Sequence, residues 1–314
     1  MRNYILRRIA IAIPVLIGIT IINFLIMNLA GSPLEMLQGP RMSQSAIEAR
    51  EIQLGLDQPF FVQYWVWLKQ LFRGNLGYSI KSYQPVAGMI TRNLGPTLLL
   101  MGTSLLISLL IAVPAGIYSA VKQYTRSDYA VVTTSFIASS IPSFFLALVL
   151  IFIFTVRLGW LPSSGMRTLG AAQSTSDVIR HMIMPVTTLV AASTGHILRY
   201  IRSAMLEILQ ADYLRTARAK GIGQRRTIMV HALRNALVPI ITVIGMQIPL
   251  LFSGAVVVEQ VFSWPGLGLM SMTAILNRDY PVIMGTALMT AVVVVLSNLV
   301  TDILYAVVDP TIKY

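Results

Sequence analysis

The stretch TLLLMGTSLLISLLIAVPAGIYSAV, Thr97–Val121, runs for 25 residues without an Asp, Glu, Lys or Arg. At about 1.5 Å of rise per residue a helix of that length reaches roughly 37 Å, enough to cross the ~30 Å hydrocarbon core of a bilayer. Five further apolar stretches flank it: Ile9–Leu29, Ala130–Val156, Met182–Tyr200, Ala236–Val258 and Val282–Val308. Of all residues 55% are hydrophobic and 11% charged, against roughly 25% charged in a soluble domain. Lipid is therefore the solvent, and the expected fold is an all-α integral membrane protein of about six transmembrane helices.

The net charge of +12 does not indicate nucleic acid as a partner. The 24 basic residues lie between or beside the apolar stretches, where topology is set. Arg2, Arg7 and Arg8 precede the first stretch in the manner of a signal peptide, but its length of about 20 residues exceeds the 7–15 of a cleaved core. It is expected to remain as the first span. Cysteine is absent, which excludes disulfides, thiol chemistry and Cys-ligated metals.

Basic residues in short loops mark the cytoplasmic side. The loop Lys122–Asp128 holds two and the loop from Arg199 to Arg234 eight, whereas residues 30–96 nearly balance six basic against four acidic groups. Both termini and the 199–234 loop are thereby placed in the cytoplasm. In the outer segment 30–96, Ser43 or Ser45 caps a short helix expected through Leu54, with Gly55 as its stop. A second, aromatic helix is expected from Pro59 to Gly74. It reads either as an anchor at headgroup level or outer cap, or as a contact for a soluble partner. Pro96, Pro114, Pro142, Pro185, Gly245, Pro249 and Gly254 bend the spans, more than a simple anchor requires.

The most informative loop is EILQADYLRTARAKGIGQRRTIMVHALRNALVP, residues 207–239. Asp212 is suited to cap a two-turn helix over Tyr213–Lys220, and Gly221 stands where a left-handed terminator belongs. Arg218 and Lys220 complement the negative end of the helix dipole. Leu214, Ala217 and Gly221 share one side, offering a small-residue patch to a close-approaching partner; the alternative is a basic helix resting on anionic lipid.

Ala217-x₃-Gly221, lying between the fourth and fifth spans, resembles the EAA loop of ABC importer permeases. DYLRTARAKG followed by HALRNALVP is similar to the dipeptide, oligopeptide and nickel branch. Arg215 and Thr216 replace the Glu and Ala of the general pattern and Arg234 its Pro, as that branch does. LGLDQPFFVQYWVWLKQLFRGNLGYS with Pro85-Val86, EQVFSWPGLG at Glu259–Gly268, Asp279-Tyr280-Pro281, and the ending Asp302, Tyr305, Asp309-Pro310 also match, in order along the chain.

The resemblance implies one permease domain over residues 1–314, with a structured outer segment (30–96) and a cytoplasmic EAA-like loop (203–235), in a bacterial inner membrane. It implies a coupling helix made by Asp212, Tyr213, Leu214, Arg215, Thr216, Ala217, Arg218, Ala219, Lys220 and Gly221. It also marks Glu259, Phe262, Trp264, Pro265 and Gly266 as a candidate outer gate or binding-protein contact. The implied partners are a homologous second permease subunit, two cytoplasmic ATPase subunits that carry ATP and Mg, an extracytoplasmic solute-binding protein and the bilayer.

The residues themselves offer no catalytic, cofactor or metal site. No GxxxxGK[ST] loop occurs, and neither HExxH nor GxSxG is present. His181, His196 and His231 are scattered; His196, within the fourth span, reads as a hydrogen-bonded structural residue or a pathway ligand. Ionisable groups deep in the spans are scarce, with Glu259 and Asp302 near span ends, so the driving energy enters from outside the chain. The alternatives are a stand-alone secondary carrier or channel, which would transport unaided, and a non-transport scaffold or sensor.

Overall fold

The computed structural model describes residues 2–29, 31, 52, 55, 57–170, 172, 174–223, 226–253 and 255–308. Among them the chain is helical throughout, with one isolated antiparallel bridge between Tyr78 and Pro85. The helices are α1 (Arg2–Leu29), α2 (Phe60–Phe72), α3 (Val86–Val121), α4 (Arg126–Ser140), α5 (Ser143–Leu150), α6 (Thr175–Gln210), α7 (Asp212–Ala219), α8 (Leu233–Ser253), α9 (Val256–Val261), α10 (Leu267–Leu276) and α11 (Tyr280–Val308). Wider π-type turns follow α5 at Ile151–Arg157 and precede α8 at Thr227–Ala232.

Three of the six expected spans are unbroken helices long and apolar enough to cross a membrane: Ala10–Leu29, Val86–Val121 and Tyr280–Thr301. The expected third span is a pair, α4 and the α5 segment through Arg157, bent by 90°. Pro142 causes the bend: its ring disfavours helical geometry at the preceding residue, and Ile141 is extended at φ −74°, ψ 124°. The expected fourth span is the middle of α6, a 36-residue helix that continues ten residues past Tyr200 to Gln210. Much of the presumed basic loop is thus a rigid extension of α6. The expected fifth is α8, with Pro239 and Pro249 inside it, followed by the short α9. The first outer helix, expected from Ser43 or Ser45 through Leu54, lies outside the described residues except for Ile52, as do Gly254, the side chains of Asp302 and Tyr305 and the final Asp309-Pro310.

Apolar burial does little to hold helices together in lipid, so close approach and polar contacts carry the packing. The most extensive interface is between α3 and α6. Gly116 lets Leu198 and Ile201 approach, and the Ser108 and Ser193 hydroxyls bond across it at 2.7 Å. Gly195 brings α6 onto α4: a Cβ there would stand 2.5 Å from the Ser135 carbonyl oxygen. At Gly245 a Cβ would meet Thr301 of α11 at 2.4 Å.

In the 30–96 segment α2 begins one residue later than expected, with Pro59 as the residue before its first turn. Phe60 and Tyr64 pack edge-on against Phe24 of α1, and the Tyr64 and Thr20 hydroxyls bond at 2.9 Å. The opposite ridge, Phe61, Trp65 and Phe72, is exposed, with Lys69 over the Trp65 ring. Two of the family-like segments meet here: Asp279 accepts bonds from the Ser79 hydroxyl and, at 3.0 Å, from the Ile80 amide.

Adding one methyl at Gly195 forces the α4 backbone away, whereas nothing lies within 4 Å of a Cβ at Gly102. Gly195→Ala is expected to lower stability by about 1–3 kcal/mol and Gly102→Ala to change it by less than about 0.5 kcal/mol, as read from thermal unfolding in detergent by circular dichroism.

Candidate functional site

After α6 ends, Ala211 turns the chain and α7 begins at once, with Leu214 N–H donating to the Ala211 carbonyl at 3.0 Å. Asp212 therefore sits in the first turn and is not the cap. Its exposed carboxylate favours the positive end of the helix and lies 3.5 Å from the Arg215 guanidinium. A solvated pair of this kind contributes ~0–1 kcal/mol. At the other end Gly221 adopts φ +80°, the left-handed terminator expected of it.

One side chain anchors this helix. Leu214 is completely buried, in a cluster with Ala112 and Ala120 of α3, Ile201 and Met205 of α6 and Ala236 and Ile240 of α8. Around it Asp212, Tyr213, Arg215, Thr216, Ala219, Lys220 and Gly221 are exposed; the side chains of Ala217 and Arg218 lie outside the described residues. Tyr213 adds a second tie, its hydroxyl accepting from Asn235 Nδ2 at 2.7 Å. The result is a short rigid helix with a projecting face and a root at the convergence of three long helices.

The segment Glu259–Gly268 has a different character from that expected of a contact surface. Glu259, Phe262, Trp264 and Gly266 are buried, and only Pro265 of the five is exposed. Glu259 Oε1 accepts from the Thr97 hydroxyl of α3 at 3.0 Å, and Oε2 from the Leu269 amide at 2.9 Å. Thr97 Oγ1 in turn accepts from the Leu267 amide at 2.7 Å. The carboxylate so satisfies the free amides that open α10. Gly266 and Gly268 are small because the carboxylate fills their space: a Cβ would lie 2.4 and 2.8 Å from it. Trp264 Nε1 donates to the Pro96 carbonyl at 2.9 Å. Four of the five residues thus form an internal fastening of the outer loop to α3, and a direct binding-protein contact through their side chains is not available in this conformation. The preceding outer segment joins them, the Gly165 amide donating to the Phe262 carbonyl at 2.7 Å. Its Asp177 takes the Thr168 amide and hydroxyl, which hold that carboxyl below the usual range.

A second buried carboxylate was not singled out by sequence reasoning. Asp128, only 1% exposed, is gripped by Arg202 of α6 through two parallel bonds, Nε to Oδ1 at 2.9 Å and Nη2 to Oδ2 at 2.7 Å. The Ser119 hydroxyl of α3 and, at 2.9 Å, the Tyr124 amide also donate to it. The available signal was Thr125-x-x-Asp128, a capping pattern; Thr125 does accept from the Asp128 amide. His196 pairs locally, its Nδ1 2.9 Å from Arg199 Nη2.

Comparison with known proteins assigns this architecture. A family model described as "Binding-protein-dependent transport system inner membrane component" matches residues 112–314, and the model of its N-terminal part matches residues 1–101. The chain belongs to this family. It is 45% identical, over the full length of both chains, to an oligopeptide transport system permease protein AppB of Bacillus subtilis (strain 168). It is 40% identical to a dipeptide transport system permease protein DppB of Alkalihalophilus pseudofirmus, again over the full length of both. A glutathione transport system permease protein GsiC of Escherichia coli (strain K12) is 38% identical over all of both chains. Among solved structures, an inward-facing form of the MetNI methionine ABC transporter shares the fold: TM-score 0.56, 18% identity, 71% of this chain and 97% of that one. The chain is an ABC importer permease subunit, a multi-pass transport protein of the inner membrane.

Within this permease the Glu259 fastening is tested by truncation. Glu259→Ala leaves the Thr97 hydroxyl and the Leu269 amide without their acceptor and is expected to cost about 2–4 kcal/mol; Glu259→Gln, which keeps one acceptor oxygen, about 1–2 kcal/mol. Thermal unfolding of the purified permease measures both.

Proposed function

We propose that this permease imports dipeptides, oligopeptides or related small solutes, driven by ATP hydrolysis on separate subunits that dock on α7. Full-length similarity to permeases named for oligopeptides, dipeptides and glutathione supports the substrate class. The observation that carries the coupling role is α7 itself: a capped helix exposed around one completely buried root, Leu214, set where α3, α6 and α8 converge. Force applied to its projecting face reaches three long helices through a single close-packed contact.

In this reading Asp212–Gly221 fill a cleft of a cytoplasmic ATPase, two such ATPases carry the ATP and Mg, and this chain binds neither. A homologous second permease completes the path, and an extracytoplasmic solute-binding protein delivers the solute. Six spans are counted when the bent α4–α5 pair, the middle of α6 and α8 are added to the three unbroken ones. Both termini then lie in the cytoplasm with α7. The exposed ridge of α2, with Lys69 over Trp65, suits the outer headgroup layer. Proton or sodium coupling by the chain alone finds less support, since the buried carboxylates among the described residues, Asp128, Glu259 and Asp279, are all occupied by internal donors.

Gly221 offers the direct test. A Cβ there meets nothing within 4 Å among the described residues, so a larger side chain intrudes on whatever approaches from outside, with backbone strain of about 1–3 kcal/mol at most. Gly221→Phe is expected to insert normally and to lose copurification of ATPase subunits or coupled uptake by at least about tenfold, as from a lost 1.4 kcal/mol of docking energy. Unchanged uptake would overturn the coupling role.

A further inference from the structure

Two of the buried carboxylates, Glu259 and Asp128, grip the same helix at widely separated points. About a third of the way along α3, Thr97 and the Pro96 carbonyl are held by Glu259 and Trp264. At the inner end Ser119 bonds Asp128, which Arg202 clamps to α6. The 22-residue separation of Thr97 and Ser119 corresponds to about 33 Å along a helix, close to the thickness of the hydrocarbon layer. Ala120, next to Ser119, belongs to the cluster that holds Leu214. Arg202 lies between Ile201 and Met205, the α6 members of that cluster. The root of α7 and the inner clamp are therefore one packed unit.

We infer that Asp128 and Arg202 are positioning residues which lock α3, the 122–125 turn and α4 to α6, so that α3 carries displacement of α7 across the membrane to the outer loop around Trp264. The proposal rests on α7 being the ATPase-docking helix.

Three features of the clamp favour transmission over simple cohesion. A buried ion pair is a poor source of stability, since well-packed apolar residues of similar volume often do as well. What the pair adds is directional: a two-pronged guanidinium–carboxylate contact fixes rotation as well as distance. The carboxylate also holds a left-handed non-glycine residue, Tyr124 at φ +63°, in the turn between α3 and α4, a conformation costing about 1–2 kcal/mol. Finally, the clamp joins α6 to the end of α3 and the start of α4 at one point. A rotation of α6 cannot leave either behind while Asp128 is held.

The chain has no cysteine, so one introduced thiol reports one place. Ser263, exposed beside Trp264, supplies it as Ser263→Cys. The permease is coexpressed with the ATPase and second-permease subunits of its transport system, purified as a complex, and labelled with a maleimide with and without a non-hydrolysable ATP analogue, the label being read on this chain after separation of the subunits. A nucleotide-dependent labelling rate is expected. Adding Asp128→Asn should shrink that difference about tenfold, the equivalent of 1.4 kcal/mol of coupling, with ATPase retention unchanged. Arg202→Lys, which keeps the charge and loses the fork, should lose the difference too, and it decides the matter if Asp128→Asn fails to insert.

An intact nucleotide response in Arg202→Lys, or no response with the ATPases bound to the otherwise unaltered chain, overturns the transmission proposal alone. Failure of the unaltered chain to retain ATPase subunits instead overturns the docking role of α7 on which it depends.

Discussion

A helix in hydrocarbon gains little from burying apolar side chains against another helix, because lipid tails serve equally well. What fixes α3 in this permease is polar: Glu259 at Thr97, a third of the way along the helix, and Asp128 at Ser119 near its C-terminal end, each carboxylate fully occupied by donors from other elements. An unpartnered carboxylate in such surroundings would be costly, so each must keep its donors close wherever the helices move. This requirement makes the outer loop, α3, α4 and α6 geometrically dependent on one another. Glycines complete the arrangement by letting backbones touch, at Gly116 and Gly195 around α6 and at Gly266 and Gly268 around Glu259.

The magnitudes separate the ion pairs by importance. Asp212–Arg215 is 3.5 Å apart with both partners in solvent, worth ~0–1 kcal/mol. Breaking a buried pair such as Asp128–Arg202 by removing one partner costs about 3–5 kcal/mol. The charged residues that carry the sequence resemblance in α7 thus contribute little to holding that helix in place. Its position comes from Leu214, and its polar residues remain available to a partner. The docking role proposed for α7 is served well by that division.

Periodicity, capping and apolar length made much of this legible. The apolar stretches at α1, α3 and α11, the aromatic helix α2, and α7 with its Gly221 terminator all follow from local rules. Local rules did not reach three features. Pro142 was one of several expected bends, but nothing local set it apart as a 90° break, since proline is tolerated inside α3, α6 and α8 without one. The continuation of α6 to Gln210 was hidden because basic residues mark a membrane boundary, which is no reason for a helix to end. The role of Glu259 depends on Thr97, 162 positions away, and no spacing pattern reports a partner at that distance.

The same gap bears on EQVFSWPGLG, which the family resemblance marked as a candidate outer gate or binding-protein contact. A motif dense in Trp, Pro and Gly after an apolar span has the composition of an exposed loop. In three dimensions its glycines are the negative imprint of a carboxylate, and its Trp reaches a carbonyl on α3. Residues constrained by one another through such interlocking give the same local signature as residues constrained by an external partner. Burial distinguishes the two, and here it assigns the motif to the interior and leaves Pro265 at the surface. Because the loop that Glu259 holds is fastened to α3 and α3 to the root of α7, the two faces of the membrane are joined by contacts within a single chain.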